Sequence, residues 1–131
     1  MLKSIRYALL AAAVVAGVSF ASEEPSPEHV KVMKDLGAQM GQLRKNVDVE
    51  KNALAMAESM KEVGRLWKDR KSDVGMKTCK ESRDGALAVA KAAKADDKAG
   101  IAAGMKMIGA GCKGCHDVHR EKVGENQYKI K

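Results

Sequence analysis

Two cysteines and a histidine near the C-terminus are the residues of this chain best spaced to do chemistry. They stand in the run Cys112-Lys113-Gly114-Cys115-His116, a C-x-x-C-H. Thiolates at this spacing add across the vinyl groups of a porphyrin, and the adjoining imidazole gives an axial nitrogen to the iron. On a helix the three positions fall at i, i+3 and i+4, so one face presents both sulfurs and the ring nitrogen. Other readings compete. A dithiol redox pair needs a βαβ setting that no part of the chain suggests, and a structural zinc site needs further Cys or His partners. Chance coincidence is the third. Covalent attachment of one haem c is the expected chemistry.

The 131-residue chain opens with an export pattern. Lys3 and Arg6 form a basic start, Tyr7 to Val18 an apolar core, and Ser19-Phe20-Ala21 a small-x-small cleavage site ahead of Ser22. The apolar run is shorter than the ~20 residues that span a bilayer, which disfavours a retained anchor. No cysteine follows the cleavage point, so lipid attachment there is excluded. Residues 1–21 are expected to be a cleaved secretory signal, leaving 22–131 as one domain that is not membrane-anchored. Export combined with a haem-attachment motif points to the periplasm.

Beyond residue 21 stand twenty-two Lys and Arg against seventeen Asp and Glu, a formal charge of +5. Such an excess of lysine either solvates the surface or docks acidic redox partners, where charge acts on encounter rate more than on affinity. Nucleic acid is not an expected partner. The bases alternate with acids, and after the signal Trp67 and Tyr128 are the only large aromatics that could stack on bases. The same scarcity bears on the core. Ala, Met, Val and Leu must fill it, and such a core is thin. A buried porphyrin would supply the missing apolar bulk, so the haem-free chain is expected to be loose or unfolded.

Four apolar stripes at helical spacing follow the signal. The segment 22–28, with Pro25 and Pro27, reads as an extended leader in which Ser26 caps a helix and Pro27 takes its first position. The first stripe is Val30, Met33, Leu36, Met40, Leu43 and Val47. Asp48 is the expected cap of the second, Val49, Ala53, Met56, Met60, Val63 and Trp67. Ser72 or Asp73 caps the third, Met76, Cys79, Ser82, Ala86, Val89 and Ala93. Asp96 and Asp97 start the fourth, Ile101, Met105, Ile108, Cys112, Cys115 and His119. The polar tail after Val123 is expected to fray. The expected fold is all-α, an antiparallel up-down-up-down four-helix bundle with one covalently attached haem. Its first and fourth helices should be neighbours, with the haem between facing helices.

A C-terminal haem motif on a four-helix, alanine- and lysine-rich exported domain resembles the class II cytochromes c. This is the family of cytochrome c′ and its low-spin relatives of the cytochrome c556 type. The likeness covers essentially all of 22–131. Its most specific part, Cys112-Lys113-Gly114-Cys115-His116-Asp117-Val118-His119-Arg120, looks like the family's C-x-x-C-H-x-x-aromatic-Arg ending. Met33-Lys34-Asp35-Leu36-Gly37-Ala38-Gln39-Met40-Gly41 is similar to the first-helix segment of the c556 group, and Trp67 sits where many members have a tryptophan. The resemblance implies that Met33 occupies the position on which the family divides. In cytochrome c′ an apolar residue there leaves the iron five-coordinate; in the c556 group a methionine ligates it. His29 stands where the family often has an arginine, and His119 where it usually has an aromatic.

Without the resemblance, the sixth ligand is open. Methionine stripes usually only pack. Met40 shares a face with Met33 but lies about 10 Å further along the helix axis, so the two cannot fill one site. An unligated iron is the third option. Gly37, one turn beyond Met33, would let a flat ring approach the helix backbone. The resemblance selects Met33, so Cys112, Cys115, His116 and Met33 are the expected cofactor-binding residues, with His116 and Met33 as iron ligands. Cys79 reads as a buried thiol, His119 as a histidine packed beside the haem edge, and Trp67 as a core anchor. Arg120 matches a propionate contact of the family, and His29 reads as surface or propionate-adjacent.

Two filled axial sites make a periplasmic monohaem electron carrier the expected function, not an enzyme. The alternative is a five-coordinate protein that binds or senses nitric oxide or carbon monoxide. Catalysis would need positioned distal acid–base groups, and the Ala, Leu, Gly and Gln near Met33 supply none. Redox partner proteins with acidic docking surfaces are the expected associates, and a homodimer is common in the resembling family.

Overall fold

The computed structural model describes residues 22–131; the expected signal segment, 1–21, lies outside the described residues. Four helices, α1 (Pro27–Arg44), α2 (Val49–Asp69), α3 (Asp73–Lys94) and α4 (Lys98–His119), are followed by two short strands, β1 (Arg120–Gly124) and β2 (Gln127–Ile130). Helices of 18 to 22 residues joined by three or four residues must run antiparallel to their neighbours. The fold is the all-α four-helix bundle that the stripes predict.

The helix starts follow local chemistry. Ser26 Oγ accepts from the His29 N–H at 3.1 Å, with Pro27 at the first helical position. Ser72, not Asp73, caps α3 through the Gly75 N–H at 3.0 Å, and Asp97 caps α4 through the Gly100 N–H at 2.9 Å. Asp48 departs from expectation. It precedes α2 in a left-handed conformation (φ 43°) and makes no side-chain cap; Asn52 instead donates to the carbonyls of Val47 and Asp48. Each interhelical turn reverses through a non-glycine residue at positive φ: Asn46 at 57°, Lys71 at 55° and Asp96 at 54°.

The expected stripes of α2, α3 and α4 are the buried or half-buried faces of those helices. On α1 the inward face is rotated. His29, Val32, Leu36 and Leu43 are buried, Met33 and Met40 half-buried, and Val30 and Val47 exposed.

Packing is uneven around the bundle. Helices α3 and α4 form the most extensive interface, α2 packs on α3, and α1 leans on α2. Glycine makes the α3–α4 contact close. A Cβ on Gly85 would lie 2.8 Å from the Ile108 backbone nitrogen, and one on Gly111 would lie 2.6 Å from the Thr78 carbonyl oxygen. Helices α1 and α4 do face one another, but across a cavity.

The tail does not fray. Strands β1 and β2 pair antiparallel, turning at Asn126 (φ 55°). Ile130 is buried and exchanges two backbone hydrogen bonds with Glu23 of the leader, at 2.8 and 2.9 Å. The Arg120 guanidinium lies 4.4 Å from the Tyr128 ring centroid. Most residues of the hairpin are solvent-exposed, so no period-two apolar pattern announced it; a single anchor and a chain-end pairing hold it.

The glycines yield a prediction of sign. Gly64 has open space where a Cβ would go, so Gly64→Ala should gain up to about 1 kcal/mol from helix propensity. Gly85→Ala makes the same propensity change but forces a methyl onto backbone atoms of α4, and should cost about 1–3 kcal/mol. Thermal denaturation followed by circular dichroism should move the two midpoints in opposite directions. Movement the same way would show that the α3–α4 contact is looser than described.

Candidate functional site

The cavity between α1 and α4 has a volume of about 780 Å³. Met33, Leu36 and Met40 line it from α1; Met56, Met60, Val63 and Trp67 close it from α2; Cys79 and Ser82 form the α3 wall. Cys112, Cys115 and His116 face it from α4. It exists because α1 does not seat against α4. Gly37 lines it with nothing within 4 Å of where its Cβ would stand, as does Gly109 on the opposite helix. The structure thus brings Met33 and the C-x-x-C-H residues to one space from opposite walls. Met40 lines the same space.

The two motif cysteines differ in environment. Cys115 is buried, and burial pushes its thiol up, while the Thr78 hydroxyl and the Trp67 indole oppose that shift. The Trp67 N–H, though near the sulfur, has no partner of hydrogen-bond geometry. Cys112 is half-buried, with Ser82 Oγ 3.7 Å from its sulfur; the same hydroxyl donates to the Ile108 carbonyl at 3.2 Å. Cys79 is buried on the α3 wall, its thiol pushed up to about 12, chiefly by burial and further by the Cys115 and Cys112 sulfurs. A thiol so protonated is a poor nucleophile. All three cysteines are free.

His116 is half-buried, and its pKa is lowered by burial and by the nearby Arg120 guanidinium. The neutral imidazole that results has a lone pair to give to a metal. Among the described residues no acceptor holds its other nitrogen. His29, near the start of α1, is buried at 7 % exposure, its Nδ1 has no hydrogen-bond partner, and burial lowers its pKa. It is neither a surface residue nor paired. An orphaned polar atom in the wall of an apolar cavity fits a site whose remaining partner belongs to a bound group.

A short aromatic column closes one end. The His29 ring meets Trp67 edge-on at 5.6 Å between centroids, and His119 stacks on the other side of Trp67 at 4.3 Å. His119 Nε2 is 2.6 Å from Ser72 Oγ and its Nδ1 2.9 Å from the Lys131 carbonyl oxygen. Both of its nitrogens are committed to protein partners, so His119 is a structural residue. Arg120, Asn126, Tyr128, Lys129 and Ile130 complete this end. The hairpin residues had no sequence signal. The burial of His29 had one, its i−4 position relative to Met33, which the apolar stripe alone passed over.

The residues present fit a haem: a largely apolar cavity, two thiols and an imidazole on one wall, a thioether on the other. Among the described residues no three His, Cys, Asp or Glu side chains converge to hold a bare metal ion, and no helix is long and apolar enough to cross a membrane. Compared with protein-family models, with curated proteins and with solved structures, the chain matches none.

Burial of His29 carries a pH dependence of known sign. A histidine held below its ordinary value of 6.5 takes up a proton more readily in the unfolded chain. Its contribution is fully present above that pH and is lost as pH falls through the depressed folded value. In urea titrations at about pH 7.5 and about pH 5, the parent should therefore lose more stability on acidification than His29→Gln. Equal losses would place His29 in water.

Proposed function

We propose that the chain is a periplasmic monohaem c-type cytochrome that carries single electrons between redox partner proteins, of the class II, c556-like kind. The observation that supports this best is the single cavity faced by Cys112, Cys115 and His116 on one side and by Met33 on the other. Cys112 and Cys115 would tether the porphyrin through thioether bonds, and His116 and Met33 would hold its iron. Bound there, the iron supplies one-electron exchange between ferric and ferrous states, with no bond made to a substrate.

The chain's residues adapt the site to that task. Met56, Met60, Val63 and Leu36 exclude water, which lowers the local dielectric and limits reorganisation around a change of charge. The Met33 thioether, a soft ligand, would favour the ferrous state of a bound haem iron and raise its potential. Gly37 leaves room for a flat ring beside α1. Lysines on the surface favour encounter with acidic partners.

Optical spectra of the purified holoprotein, ferric and ferrous, with and without carbon monoxide, test this. The expected result is a low-spin spectrum with a methionine-to-iron charge-transfer band, unmoved by the gas. Met33→Ala should abolish that band, whereas Met40→Ala should keep it. A high-spin spectrum that shifts with carbon monoxide would instead make the protein a gas binder with an open site. A chain purified from a host competent in haem attachment that carries no haem would overturn both readings.

A further inference from the structure

The cavity opens between α1 and α4. The α2 and α3 residues that line it are buried or half-buried, and the hairpin and aromatic column close one end. Apart from Val30, Asp117 and the hairpin's Asn126 and Tyr128, the lining residues that are also exposed lie on two facing edges: Lys34, Gly37 and Arg44 on α1, and Gly109 and Lys113 on α4 with Arg120 just beyond it at the start of β1. At the middle of this slot, Gly37 and Gly109 have nothing within 4 Å of where a Cβ would stand. No side chain of theirs stands between the cavity's contents and an approaching molecule.

Charge around the slot is one-sided. Lys34, Arg44, Lys113 and Arg120 stand on its edges; Asp117, the only acidic residue among the described residues that line the cavity, is ion-paired with Lys113, which leaves a net excess of three positive charges on Lys34, Arg44 and Arg120. The outer surface of α2 differs: Glu58 pairs with Lys61 and Glu62 with Arg65, so bases there are matched by acids. Electron transfer needs close approach of two centres, and a ring of one sign around the point of closest approach steers partners of the other sign to it.

Resting on the electron-carrier reading, we infer that the α1/α4 slot is the docking face. Its occupant is an acidic redox protein whose carboxylates meet Lys34 and Arg44 on one edge and Arg120 on the other. A second copy of this chain does not fit here, because it would bring the same excess of positive charge against itself.

The test uses two double charge reversals of equal net charge: Lys34→Glu with Arg44→Glu on the slot, and Lys68→Glu with Lys91→Glu on the exposed outer faces of α2 and α3. Stopped-flow oxidation of each ferrous holoprotein by hexacyanoferrate(III) at low ionic strength should be slowed several-fold by the slot pair and much less by the outer pair. Tris(phenanthroline)cobalt(III), a cationic oxidant, should react faster with the slot pair than with the parent. Poly-L-glutamate, an acidic macromolecular probe, should inhibit oxidation of the parent and leave the slot pair little affected. Equal slowing by both pairs would overturn the docking face while leaving the electron carrier intact. Failure of the parent to exchange electrons with either oxidant would overturn the functional reading, and this inference with it.

Discussion

Helices α1 and α4 present apolar faces that do not meet, and the rest of the structure is arranged around that gap. Leu36, Met56, Met60, Val63 and Trp67 turn toward a space of about 780 Å³ that their own side chains leave unfilled. Those five are buried, but Met33 and Met40 on α1 are only half-buried, and apolar surface left in water forfeits roughly 25 cal/mol per Å² of the gain that burial provides. A chain with one tryptophan, two tyrosines and one phenylalanine in all has few large side chains with which to close the gap. The haem proposed for this site would fill the gap and hold α1 as firmly as its neighbours.

The frame that surrounds the gap is built by the opposite means. On the α3–α4 side glycines bring backbones together, and Ala86, Val89 and Ile108 are wholly buried. This close-packed pair carries the cysteines and His116. Trp67, His119 and the C-terminal hairpin tie α2, α4 and the leader together at one end. Helix α1, by contrast, packs chiefly on α2. Close packing of α3 on α4 and the lighter seating of α1 suit the proposal of a group attached to α4 and clasped by α1.

Much of this was legible beforehand, because it rests on periodicity. Steps of three and four residues located all four helices, and Ser26, Ser72 and Asp97 marked three of their starts. The C-x-x-C-H face was legible because spacing on a helix dictates direction. The choice of Met33 was not: Met40 shares its α1 face, Met56 and Met60 line the same cavity, and only a likeness to known cytochromes distinguished it. What failed to show was the hairpin, whose mostly exposed residues have no apolar alternation and whose hold depends on Glu23, a residue about a hundred positions earlier. The rotation of α1, which buries His29 and Val32 and exposes Val30, was hidden too, since valine and histidine at adjacent positions give no clear preference for a face. Asp48 kept the look of a cap while its backbone was needed for the turn.

Amide hydrogen exchange, compared between the holoprotein and a Cys112→Ala/Cys115→Ala chain that cannot attach haem, bears most directly on the idea that the gap must be filled. Loss of protection should be greatest along α1, from Val32 to Leu43, with the α3–α4 amides around Gly85 and Ile108 the last to go. Protection of α1 that is the same in both forms would show that the bundle closes without a guest, and would contradict the account.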